Sequence, residues 1–217
     1  MHEAQPYKHK NIWKIISNYK YHCIIDCIAA SCYDSNMMNP TNITNGLVHV
    51  YTGSGKGKTT AALGVALRAL GWGAKVCMVQ FIKGYSEIGE AKMALEFPGR
   101  FVIKQFAVDL VRHINEKKVH KTHEAVKSAM EYAVQAVLGG DFDLVILDEI
   151  NNALHYNLIK TAEVLELIER KPSHVELILT GRNAPAEIIE AADYVTEMKL
   201  IKHPYEQGIQ ARKIIDY

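Results

Sequence analysis

Gly53-Ser54-Gly55-Lys56-Gly57-Lys58-Thr59-Thr60 gathers three glycines, two lysines and two threonines into eight residues. Glycines at these places let successive backbone N–H groups point into one hollow. A helix starting at the end of the run adds the positive end of its dipole. Such a turn cradles phosphate oxygens, with the Lys58 ammonium reaching a phosphate and the Thr59 hydroxyl reaching Mg²⁺. The chemistry on offer is the binding of a nucleoside triphosphate. The spacing is unusual, because the common loop has glycine five places before its Gly-Lys pair and Thr52 stands there. With Gly53 as its first glycine the loop reads G-x-x-x-G-K-T, one residue short. It should therefore encircle phosphates differently from an ordinary ATPase loop.

A second group of residues completes the chemistry. Phe142-Asp143-Leu144-Val145-Ile146-Leu147-Asp148-Glu149 runs an apolar stretch into two carboxylates. Beside a phosphate loop, Asp148 and Glu149 are the hard oxygen ligands that Mg²⁺ requires. Gln80 and Lys83 end another apolar run, Ala74–Ile82, and Arg182 follows a third, His174–Thr180. In a parallel sheet these strand ends open onto the ligand crevice, where an arginine holds a phosphate or stacks on a base.

The elements that must position these groups are legible in the spacing. Leu47–Tyr51 is a strand feeding the loop. Leu63, Ala66, Leu67 and Leu70 recur at helical intervals behind it, and Gly71-Trp72-Gly73 stops that helix. Ala74–Ile82 is a continuous apolar run, as in a strand buried on both faces. Phe101–Ala107 is a short strand and Val108–Lys121 is irregular and polar. Val126, Ala129, Met130, Ala133, Val134 and Val137 mark a helix stopped by Gly139-Gly140. Val164–Ile168 is helical up to Lys171-Pro172, Asn183 is placed to cap a helix containing Pro185 and Ile188, and Tyr194–Ile201 is a last strand. The alternation predicts one α/β domain over residues 46–217: a P-loop NTPase-like (RecA-like), mostly parallel sheet with helices on both faces.

Residues 1–45 read as an N-terminal extension and linker. The Ile12–Ile25 stretch is amphipathic, interrupted by Lys20, and Asn36–Asn45 is turn-rich. The composition change makes Met37 or Met38 an expected start of the native protein; an upstream peptide found by N-terminal mass measurement would remove that idea. Cys23, Cys27 and Cys32 lack a C-x-x-C pair and signal metal weakly, as does the His120/His123 pair. Four cysteines in 217 residues are no disulfide framework, so a reducing cytoplasm is expected. A net charge of +1 supplies no general field for nucleic acid or an anionic membrane, and no apolar run is long enough to span a bilayer.

Taken together, T-G-S-G-K-G-K-T-T at 52–60, V-Q-F-I-K-G at 79–84, L-D-E at 147–149, T-G-R at 180–182, A-D-Y-V-T-E at 192–197 and the I-I-D-Y ending resemble the P-loop corrinoid (cob(I)alamin or cob(I)yrinic acid a,c-diamide) adenosyltransferases. The resemblance covers Gly46–Tyr217. It implies transfer of the 5′-deoxyadenosyl group of ATP to Co(I) of a reduced corrinoid, with triphosphate leaving, in adenosylcobalamin biosynthesis or salvage. It implies ATP lying reversed in the loop, with the loop amides from Gly53 to Lys58 on the triphosphate. Thr59 and Glu149 would hold Mg²⁺ (or Mn²⁺) with Asp148 beside them; Arg68, Gln80 and Arg182 would contact nucleotide. An electron donor such as a reduced flavoprotein and a homodimer are also implied. Two features depart from the family. An aromatic Phe-x-Trp pair is missing at Ala107–Leu110, and Ile214 replaces the glycine usual before Ile-Asp-Tyr. Two rival readings remain: an ATPase releasing ADP and phosphate, with Arg182 as its arginine finger, and a nucleotide-binding module without turnover.

Overall fold

The computed structural model describes residues 43–82, 87–106 and 116–217, with the backbone alone for 116–120. The expectations for residues 1–42, Lys83, Ala107–Leu110, His113 and the His120 side chain fall outside that set. Six strands, β1 (Val48–Thr52), β2 (Val76–Gln80), β3 (Phe101–Gln105), β4 (Leu144–Asp148), β5 (Glu176–Thr180) and β6 (Tyr194–Glu197), form one sheet in the order β3-β2-β4-β5-β1-β6. Every pairing is parallel. The helices are α1 (Lys58–Gly71), α2 (Gly89–Ala94), α3 (Glu116–Leu138), α4 (Ile150–His155), α5 (Thr161–Arg170) and α6 (Ala186–Glu190). This is the expected P-loop NTPase-like α/β architecture, parallel throughout.

Both faces of the sheet are covered, which is why its central strands read as unbroken apolar runs. On one face Cys77, Val79, Val145 and Leu147 pack with Val126, Ala133 and Val137 of α3 and Val164 and Leu167 of α5. On the other, Val76, Met78, Leu144, Ile146 and Ile178 pack with Ala62, Ala66 and Leu70 of α1. Val145, Ile146 and Leu147 are wholly buried. At about 1.5–3 kcal/mol per side chain removed from water, β4 is a rigid mount for the carboxylates that follow it.

Register brings the functional strand ends to one edge. Gln80 is level with Asp148, and Tyr51 is level with Thr180. Strand β5 lies between β1 and β4, so Thr180 stands between the phosphate loop and Asp148.

Several boundaries differ from the sequence reading for physical reasons. Helix α3 begins at Glu116, inside the stretch read as irregular; its first turns are polar and carry no apolar stripe to detect. Helices α2 and α4, six residues each, are too short to show a period. Strand β6 stops at Glu197 and all four of its residues are exposed. Pro185, not Asn183, occupies the N-cap of α6, and Asn183 sits in the left-handed region at φ 53°. The stop after α1 is as expected: Gly73 (φ 87°) follows the cap, with Gly73 N–H on Leu70 O and Ala74 N–H on Ala69 O.

Among the described residues no helix is long and apolar enough to cross a membrane. Cys77 is fully buried in β2, and burial pushes its thiol up to about 12, outweighing the Tyr132 hydrogen bond and the Lys104 charge. Its folded value lies above the unfolded one, so the neutral thiol's contribution holds below the unfolded value and is lost as pH rises through about 12. At pH 8 native Cys77 should alkylate about 1,000-fold more slowly than in denaturant. Peptide mapping after iodoacetamide reads this out, and rapid labelling of native protein would contradict the buried placement.

Candidate functional site: a phosphate loop facing two carboxylates

The loop is shaped by its glycines and by the segment after β6. Gly53 and Gly57 adopt φ of 95° and 116°, a region open to glycine and costly for other residues. Met198 N–H donates to Thr52 O at 2.8 Å, and Gly55 N–H donates to Met198 O at 2.6 Å. A Cβ on either Gly53 or Gly55 would lie 2.6 Å from Met198 O. The shortened loop is thus stitched to the end of β6, with no space for side chains at those two places.

Lys58 opens α1 and folds back across the loop, its Nζ donating to Gly53 O and Gly55 O at 2.8 Å each. The side chain is nearly buried. Burial holds its pKa below the ordinary lysine value; Glu149 and Asp148 draw it back up, and the Arg182 guanidinium pushes it further down. The α1 N-terminus has no side-chain cap, so its first amides remain for an anion.

The two carboxylates have separate surroundings. Asp148 is completely buried. Its Oδ1 accepts from Thr59 Oγ1 at 2.8 Å and Thr180 Oγ1 at 2.7 Å, and its Oδ2 accepts from Gln80 Nε2 at 3.2 Å. Glu149 has φ 65°, a left-handed conformation costing a non-glycine residue on the order of 1 kcal/mol. Its N–H donates to Thr180 Oγ1 at 3.0 Å, and it lines the cleft. Asp148 therefore organises hydroxyls from within the protein, while Glu149 faces the ligand space.

That cleft has a volume of about 760 Å³. Ser54 to Thr60 line it with Glu149 and Arg182, and apolar residues Leu63, Leu67 and Met93 form part of its wall. Leu67, one of the apolar residues at helical spacing on α1, is 61% exposed and lines this space. The Arg182 N–H donates to Asn152 Oδ1 at 2.6 Å, fixing the backbone that presents its side chain. The other two nucleotide-contact candidates, Gln80 and Arg68, are not among the residues lining the cleft. Gln80 is fully buried and bonded to Asp148 and, at 3.3 Å, to Glu90. Arg68 is exposed on α1 outside the cleft lining, some 15 Å along the helix from Lys58.

Sequence reasoning missed Thr180, Glu90 and the C-terminal segment Ile209–Tyr217, all of which meet the site or its supports. The threonine ending β5 was the only available signal for the first. The I-I-D-Y ending, a point of family resemblance, was the signal for the C-terminal segment, and nothing local marks Glu90.

Thr59, Asp148 and Glu149 supply hard oxygens of the kind Mg²⁺ takes. Among the described residues no three His, Cys, Asp or Glu converge as a ligand set, and a Mg²⁺ shared with phosphates and water needs no such set.

A strand, a glycine-rich turn closed by lysine, a helix, and a buried aspartate on the threonine after that lysine define a P-loop nucleotide-binding protein. A sequence model of the family described as ATP:corrinoid adenosyltransferase BtuR/CobO/CobP matches residues 44–217, and the chain belongs to that family. The corrinoid adenosyltransferase of Pseudomonas aeruginosa is 36% identical over 79% of this chain and 84% of its own. That of a Sinorhizobium species is 38% identical over 79% and 80%, and that of Escherichia coli 34% over 79% and 86%. The activity is accordingly ATP-dependent adenosyl transfer to a corrinoid, and the ATPase reading is not favoured.

Proposed function

We propose that residues 46–217 are the catalytic domain and that its phosphate loop grips all three phosphates of ATP as one leaving group. The ribose 5′ carbon is then left open to the corrinoid. The Co(I) electron pair forms the cobalt–carbon bond while the carbon–oxygen bond breaks, and its electron pair departs on triphosphate. Co(I) is already nucleophilic, so the protein supplies no base. It aligns the displacement and stabilises charge on the leaving group. The loop amides from Gly53 to Lys58, with Ser54, Lys56 and Thr60, surround the triphosphate; Lys58 leaves its loop carbonyls for phosphate oxygen. Thr59 and Glu149 would hold Mg²⁺ (or Mn²⁺), with Asp148 orienting the Thr59 hydroxyl. When bound, that ion neutralises triphosphate charge. Arg182 meets the nucleotide, and Gln80 acts through Asp148.

The observation that carries this reading is the contact of Thr59 with buried Asp148 at 2.8 Å, one residue from Lys58. It sets metal-binding and phosphate-binding groups side by side. The reading extends to a reduced flavoprotein as electron donor, a homodimer, a cytoplasmic setting, and no nucleic acid or membrane partner. The test is to supply ATP, Mg²⁺ and chemically reduced cobalamin, follow the spectral change as the cobalt–carbon bond forms, and identify the products. Triphosphate supports the transfer; ADP with phosphate, or ATP binding without turnover, would overturn it.

A further inference from the structure

The C-terminal segment lies along the same cleft as the phosphate loop, Arg212 and Ile214–Tyr217 lining it with Ser54–Thr60. The contact between them is ionic. Lys56 Nζ, from the middle of the loop, lies 2.9 Å from Asp216 Oδ1. Arg212 donates to Asp216 Oδ2 twice, from its backbone N–H at 2.9 Å and its Nε at 3.3 Å. Donors from two distant parts of the chain thus converge on one carboxylate, whose pKa falls to about 2, chiefly through the Lys56 contact.

The segment is held in a strained form. Ile214 has φ 79°, a genuine outlier for a β-branched residue. The turn closes through Asp216 N–H on Arg212 O at 2.8 Å and Ile214 N–H on Tyr217 O at 3.1 Å. Its side chains add little packing, since Ile214 is 90% exposed and Ile215 57%. The ion pairs therefore oppose that strain, and a ligand that takes the cations takes away the support.

A carboxylate bonded to a phosphate-loop lysine competes with an anionic ligand for that cation. Polyphosphate carries more charge and more acceptor oxygens, and arginine is well suited to it. We propose that Arg212 is a triphosphate-binding residue acting with Lys56, and that Asp216 is a resident anion holding both cations until polyphosphate displaces it. The proposal deepens the reading of the loop as the triphosphate site and rests on it.

Titration calorimetry with inorganic triphosphate and with Mg-ATP, on the full chain without corrinoid, tests it. Arg212→Gln should weaken triphosphate binding about 10- to 100-fold, and Arg212→Lys should restore part of the loss. Asp216→Asn should tighten binding about 3- to 10-fold by removing the competitor. Arg212 is exposed and Asp216 partly exposed, and circular dichroism checks that the three variants fold. If Arg212→Gln binds within twofold of the parent, or Asp216→Asn binds more weakly, the proposal is overturned while the loop reading stands. If the parent protein fails to bind triphosphate, or Lys58→Ala binds it as the parent does, the loop reading has failed and takes the proposal with it.

Discussion

Lys58→Ala should lower adenosyl transfer at least about 100- to 1,000-fold, the range for removing a donor that stabilises charge developing on a leaving group. The reason is its place. Its ammonium is nearly buried and lies 2.8 Å from both Gly53 O and Gly55 O, so a short movement takes it from loop carbonyls to phosphate. Alanine also removes the cross-brace of the loop, so Lys58→Met, which keeps the stem, isolates the charge. Both should depress kcat with reduced cobalamin, and the alanine variant should raise KM for ATP further. Burial and Arg182 disfavour the charged form more than Glu149 and Asp148 favour it. The kcat/KM for ATP, which reports the free protein, should therefore fall on the alkaline side below the pH at which ordinary lysine titrates. Unchanged turnover in Lys58→Met would take this lysine out of the mechanism.

Glu149→Ala should show its defect first in the metal. Asp148 is enclosed and shared among Thr59, Thr180 and Gln80, whereas Glu149 lines the cleft. Loss of a cleft-facing carboxylate should weaken Mn²⁺ binding in the presence of ATP about 10- to 100-fold, as loss of a charged partner worth some 1.5–3 kcal/mol implies. Paramagnetic resonance of free Mn²⁺ measures this without turnover, and part of the lost activity should return at high metal concentration. Asp148→Asn is expected to behave differently. With its remaining oxygen on the two threonine hydroxyls, the asparagine turns its amide nitrogen to the Gln80 Nε2 donor in a buried site, so the substitution should reduce thermal stability as well as activity. If Glu149→Ala binds Mn²⁺ as tightly as the parent protein, the assignment of this carboxylate is wrong.

The loop, the paired carboxylates and the alternation of strand and helix follow from the sequence itself, because each depends on neighbours within a few residues. Glycine permits the turn, lysine and threonine follow it at fixed spacing, and runs such as Leu144–Leu147 are apolar because both faces of their strands are covered. Only the tertiary structure divides the labour. Thr59 and Asp148 stand 89 positions apart, and parallel register decides that they touch. The same register gives Asp148 to the interior and Glu149 to the cleft, turns Gln80 toward Asp148 and leaves Arg68 outside. The path of the chain beyond β6 also brings Asp216 onto Lys56 across most of the chain. Local spacing encodes which groups are available; the packing of the neighbouring central strands β4, β5 and β1 fixes which of them meet at the carboxyl end of the sheet, since contacts between remote segments depend on the whole core and leave no mark in a short stretch of sequence.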